Sequence, residues 1–195
     1  MKTLVKILIF VACLGFVISC SKSDEFVENS PELKKAEVMV TVPFEANFIG
    51  EYVNFIVGPD AGCEVDYNCR VFVDFQGNAT HLGKMHGSFE FCACGPDDPD
   101  VEGPDNKYLP SESYMVAANG DSLFISCWGT VVDGRTPDHP EYVTSWWRDE
   151  FVILGGTGRF EGASGEGMTD DYNSSLDPNS HHHWTGTITM VRGKH

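Results

Sequence analysis

The sequence predicts an all-β fold, an antiparallel sandwich or barrel built as one domain. Three observations carry this. Helical periodicity is nearly absent, apolar and polar residues alternate in short runs, and clusters of Gly, Pro, Asp and Asn separate those runs.

The strands follow in order. "AEVMVTV" (36–42) and "NFIGEYVNFIV" (47–57) are two expected strands. "CRVFVDFQGNATHL" (69–82) alternates cleanly, with Val71, Val73 and Phe75 on one face. "GSFEFCAC" (87–94) places Phe89 and Phe91 on one face and Ser88, Glu90 and Cys92 on the other. In "YMVAANGDSLFISCWGTVV" (114–132), Asn119-Gly120 between two apolar runs signals a hairpin with a type I′ turn. "SWWRDEFVIL" (145–154) and "WTGTITMV" (184–191) complete seven or eight strands. Adjacent Trp146 and Trp147 must face opposite sides of their strand. The breaks at 58–69, 95–110, 133–142 and 170–180 are rich in Pro, Gly, Asp and Asn and read as surface loops.

The N-terminus defines two further segments. Lys2 and Lys6 make a positive start, and Leu4–Ile18 is apolar apart from Lys6. That run is too short for a membrane span and fits a secretory signal, residues 1–19. It closes on "VISC", which resembles a bacterial lipobox, so Cys20 is expected to become the acylated first residue of the mature chain. Several acyl chains hold a protein on a membrane because each buried methylene adds about 0.8 kcal/mol. Residues 20–36 are polar and charged and read as a tether, leaving 37–195 as the single folded domain. The expected location is the bacterial cell envelope, as an outer-membrane lipoprotein on its periplasmic or surface face.

The net charge is −16, and removal of the signal takes away two lysines and no acid. Such a balance argues against nucleic acid and anionic lipid surfaces as partners. An exported chain can hold disulfides. Besides Cys20, the mature chain keeps Cys63, Cys69, Cys92, Cys94 and Cys127, an odd number. Cys63 and Cys69 bracket a short loop and are the expected pair, with Cys92 or Cys94 meeting Cys127 on a neighbouring strand as a further candidate. "CAC" lacks the spacing of a zinc or redox site.

"FVILGGTGRFEGASGEG" (151–167) poses a choice between a phosphate cradle and a tight β turn. A dinucleotide fingerprint needs a third glycine and a following helix, whereas Glu161 stands at that third position and "GASGEG" cannot sustain a helix. No lysine for a phosphate loop is present. The glycines are instead expected to supply positive φ and close approach at a barrel corner, with Phe160 plugging the core beneath it. No nucleotide, cofactor or resident metal is expected.

This turn resembles the corresponding "GGTGxFxGaxG" turn of allene oxide cyclase and dirigent-like barrels. "GNATHLGK", "AANGDSL" and "WTGTITM" are similar to segments of small secreted bacterial proteins that share it. The resemblance implies an antiparallel barrel of about eight strands with a central cavity. It carries no catalytic set onto this chain, and the cysteines and the acidic loop depart from the pattern, so fold transfers and function does not.

Three clusters invite chemistry. In "HHHW" (181–184), strand alternation turns His182 inward with Trp184, Ile188 and Met190, and turns His181 and His183 outward. A two-histidine outer metal site would need Asp171 or Asp177 and lacks a third certain ligand. Asp98, Asp100, Glu102 and Gly103 mimic the start of a calcium loop, but Leu109 stands where a bidentate glutamate is required. No nucleophile-elbow serine occurs, while a carboxylate pair for glycoside hydrolysis is a matter of spatial separation that sequence leaves open. The expected ligand-facing residues are His81, Trp128, His182 and Trp184. The expected function is a lipid-anchored barrel holding a small apolar or amphipathic molecule in its lumen; the alternative is a cyclase- or isomerase-like enzyme in the same cavity.

Overall fold

A computed structural model describes residues 37–64, 67–93 and 106–193. Ten strands follow in chain order: β1 (Met39–Val57), β2 (Cys69–Ala79), β3 (Gly83–Ala93), β4 (Lys107–Ala117), β5 (Ser122–Thr130), β6 (Val132–Asp133), β7 (Val143–Trp147), β8 (Glu150–Gly156), β9 (Ser164–Ser174) and β10 (Ser180–Val191). Every pairing is antiparallel, and the order β1-β2-β3-β4-β5-β8-β9-β10 closes where β10 pairs with β1. The chain is a closed antiparallel barrel with eight wall positions. Closure removes the sheet edges that would otherwise recruit other chains.

The two additional strands continue existing walls. Cys127 faces Phe151, Val132 faces Trp146 and Asp133 faces Ser145, so the β5–β8 register resumes unchanged in β6–β7. On β9, Trp147 faces Asp171 and Glu150 faces Met168, again without a slip. The expected single strand over 145–154 is therefore one wall strand with an interruption at Arg148-Asp149. Asp149 causes the break. Its carboxylate accepts the Tyr108 hydroxyl at 2.9 Å and the Thr130 N–H at 3.2 Å. It rests on Gly129, where a Cβ would fall 1.9 Å from it.

β1 is one strand of 19 residues rather than two. Pro43 does not break it, because its carbonyl faces the β2 side, toward His81 Nε2 at 3.1 Å. The missing N–H points the same way, and β2 pairing begins only at Ala46. Inward alternation holds as expected: Val71, Val73, Phe75, Trp184 and Ile188 are buried. The hairpin between β4 and β5 forms, but not with a type I′ turn. Gly120 alone takes positive φ, and the bonds Gly120 N to Ala117 O and Ala117 N to Asp121 O define a type I turn closed by a glycine bulge.

The glycine-rich turn is the barrel corner the sequence led us to expect. Gly158 has φ 56°, in the left-handed region. A Cβ there would lie 1.9 Å from Asp121 Oδ1. Asp121 Oδ2 accepts the Arg159 N–H, and Thr157 Oγ1 accepts the Ser122 N–H, tying the corner to the neighbouring hairpin. Phe160 is fully buried beneath it. Gly158→Ala is expected to cost about 1–3 kcal/mol through backbone strain and the displaced carboxylate. Urea unfolding measures this, and an unchanged midpoint would refute it.

Cysteine pairing differs from expectation. Cys63 bonds to Cys92, not Cys69, with Cα atoms 5.8 Å apart. Cys69 begins β2 on the same face as Val71 and Val73 and points into the barrel. Cys92 lies opposite the next residue, Arg70, and faces out toward the Cys63 loop. Arg70 holds that loop by donating to Ala61 O at 2.6 Å and Gly62 O at 3.0 Å. Cys69 and Cys127 are free, buried thiols, so the candidate bond to Cys127 does not form with Cys92. Cys94, the calcium-like stretch and residues 1–36, including Cys20, lie outside the described residues.

Candidate functional site

The barrel has two unlike ends. Ladder registers place the 80–82 turn, the 118–121 turn and the Gly158 corner together at one end. There Phe160, Leu82, Phe44 and Phe151 fill the lumen. At the other end, marked by Val57, Cys69, Ala93 and Tyr108, the lumen holds a cavity of about 560 Å³. That is within the usual size range of small-molecule sites.

Aromatic rings make most of its walls. Tyr52 and Phe55 come from β1, Phe89 and Phe91 from β3, Tyr108 from β4 and Trp147 from β7. A register shift between Tyr52 and Asn54 brings both Tyr52 and Phe55 to the cavity, where their rings stack at 5.5 Å. The floor is Trp184, which packs against Phe151 at 4.9 Å and Phe48 at 5.3 Å.

Polar groups are few and linked. Asp171 is 2% exposed. Its Oδ1 accepts the His183 N–H at 3.1 Å, and both of its oxygens accept Trp184 Nε1–H, at 3.1 and 3.0 Å. His182 Nδ1 lies 2.9 Å from Asp171 Oδ2 but off the line of a directed hydrogen bond. His182 Nε2 lies 2.8 Å from Ser180 Oγ, which donates to Gly50 O at 3.2 Å. The imidazole stacks on Phe48 at 4.4 Å. A second set joins Tyr52, whose hydroxyl donates to Asn173 Oδ1 at 3.2 Å, to Ser145 through Asn173 Nδ2 at 2.9 Å.

This environment opposes negative charge on neighbouring groups. Burial, followed by the charge of Asp171, pushes the Cys127 thiol up to about 12, so it stays protonated at neutral pH and is no nucleophile. Burial likewise raises the Tyr52 and Tyr108 hydroxyls, with Asp171 adding to both and Cys127 and Asp149 adding to Tyr108. Asp149 is also raised by burial, against the hydrogen bonds it accepts from Tyr108 and Thr130.

Of the four expected ligand-facing residues, His182 and Trp184 line the cavity. His81 does not. It sits in the 80–82 turn at the filled end with φ 67°, where its carbonyl accepts Arg159 Nη1. Trp128 is also absent from the lining, because Cys127 faces in and alternation turns its neighbour away. Trp147 joins Trp184 in the cavity lining, and Trp146 faces the other side beside His139. Asp171 is no part of an outer histidine site. His181 pairs with Asp177 at 3.0 Å and His183 approaches Glu45 at 3.4 Å. Among the described residues, no three His, Cys, Asp or Glu side chains gather to hold a metal ion. Asp171, Tyr52, Tyr108 and Cys127 were not foreseen as cavity residues. Asp171 sits in the polar run "TDDYN", which reads as loop; only its register opposite His182 on β10 reveals it.

The described residues define a closed eight-stranded β-barrel with an aromatic chamber at one end that runs down to Trp184 and a buried carboxylate. No family profile and no curated relative matches the chain. Among solved structures, it is similar to a pterocarpan synthase dirigent protein at 14% identity and a TM-score of 0.45, over 87% of this chain and 100% of that one.

Proposed function

We propose that this protein is a lipid-anchored envelope barrel that holds one small amphipathic molecule in its lumen. The observation that carries the reading is the aromatic chamber of about 560 Å³, open at one end and ending on Asp171, His182 and Trp184. Apolar walls with a few fixed polar groups are the usual make-up of a small-molecule site. Attachment rests on "VISC" and Cys20, and Cys20→Ala should abolish incorporation of labelled fatty acid.

Two measurements test the chamber. Native mass spectrometry of protein taken from its own envelope should find a retained small molecule. A fluorophore that brightens in apolar surroundings should bind saturably, one per chain, and Ala93→Trp at the mouth should block it without lowering the melting temperature. Unchanged binding to that variant would count against the chamber as the site.

Proton-transfer catalysis is the second reading, and the Ser180–His182–Asp171 array favours it. Ser180 is 1% exposed, which keeps its hydroxyl from attacking a substrate, so the array could serve only to hold or move a proton. Conversion of the retained envelope molecule over time, followed by mass spectrometry, would support this reading over simple binding.

A further inference from the structure

Resting on the chamber as a binding site, we infer that it selects ligands with a cationic head, such as amphipathic or aryl-alkyl amines. Among the described residues, the lining holds two carboxylates, Asp171 at the floor and Asp133 on β6, and neither Lys nor Arg. His182 is the one lining group among the described residues able to carry positive charge. Even with a full imidazolium charge on it, Asp133 and Asp171 leave the lining net negative. Asp149 adds a further carboxylate behind Tyr108.

The uncharged part of the wall reinforces the same preference. Tyr52, Phe89, Phe91, Tyr108 and Trp147 present ring surface to the chamber, and the electron-rich face of an aromatic ring attracts cations. Low-polarity walls also leave the carboxylate field poorly screened inside the chamber. The upward displacement of Tyr52, Tyr108 and Cys127, each partly due to Asp171, is the same field felt by groups already in place. An anionic head would meet that field unfavourably and would find no lysine or arginine in the lining to receive it. A cationic head needs no new partner, since Asp133 is exposed and the rings face inward.

Three probes with one skeleton separate charge from shape: phenylbutyltrimethylammonium, phenylbutanol and phenylbutyrate. Titration calorimetry with the full chain should rank the cation about tenfold tighter than the alcohol, with the carboxylate weakest. Asp133→Asn should narrow the gap between cation and alcohol, and high salt should narrow it further. Asp171→Asn should do the same if it folds; Asp133→Asn, at an exposed position, keeps the test valid if it does not. Equal affinity for cation and alcohol, tightest binding of the carboxylate, or a cation preference untouched by Asp133→Asn and salt would overturn the inference. Uptake of the apolar fluorophore and the alcohol without the cation would overturn it too, while leaving the chamber as a binding site. Failure of every probe, fluorophore included, would sink both.

Discussion

Asp171→Ala is expected to destabilise the barrel by about 3–5 kcal/mol, the usual result of removing one partner from a buried, hydrogen-bonded charge cluster. The Trp184 indole N–H and the His183 N–H would lose their acceptor, and His182 Nδ1 would lose the carboxylate oxygen 2.9 Å away. Bulk water reaches two of them little, since Trp184 is 1% exposed and the His182 side chain 7%. Asp171→Asn should cost clearly less, since its amide oxygen can still accept from Trp184 and His183. Urea unfolding of both variants decides the matter. A loss below about 1 kcal/mol for alanine would show that the cluster contributes little, and equal losses for alanine and asparagine would show that charge is irrelevant to it.

Phe160→Ala should cost a comparable amount, about 3–5 kcal/mol, for a different reason. The ring is fully buried at the filled end, against the close-packed backbone of Gly156. Truncation leaves a void that Phe44, Phe151 and Leu82 cannot collapse into, because each is fixed on a strand or turn of the closed wall. The variant should still bind the apolar fluorophore at the open end when folded at low temperature. Loss of binding at full secondary structure would mean that the two ends are not independent. Thermal melting and fluorophore titration on one sample report both quantities.

Much of the architecture is local in origin and therefore legible in sequence. Alternation in "RVFVDF" and "GSFEF" already assigns Val71, Val73, Phe75 and Phe89 to the interior, because a strand has a period of two wherever it is placed. The same rule turns His182 inward and His181 outward. Glycine at position 158, followed by a run that cannot sustain an α-helix, identifies a corner, since glycine takes positive φ without the steric cost of a Cβ. The Cys63–Cys92 bond was within reach of the same rule, as Cys69 shares a face with Val71 and Cys92 points to the other face of its strand from Phe91. Proximity in sequence was the misleading signal.

What sequence left undecided depends on which strands meet and at what offset. Asp171 reads as a solvated loop residue until β9 pairs with β10 and sets it between His182 and Trp184. Trp128 and Trp147 are equally apolar, and the β5–β8 and β7–β9 registers decide that Trp147 lines the chamber. Asp149 interrupts one wall strand only because Gly129 on its neighbour leaves room for the carboxylate. The chamber itself is a product of closure. Strand count and alternation determine that there is an inside, but where large rings fill it and where they leave space is set by the register around the whole ring of eight walls.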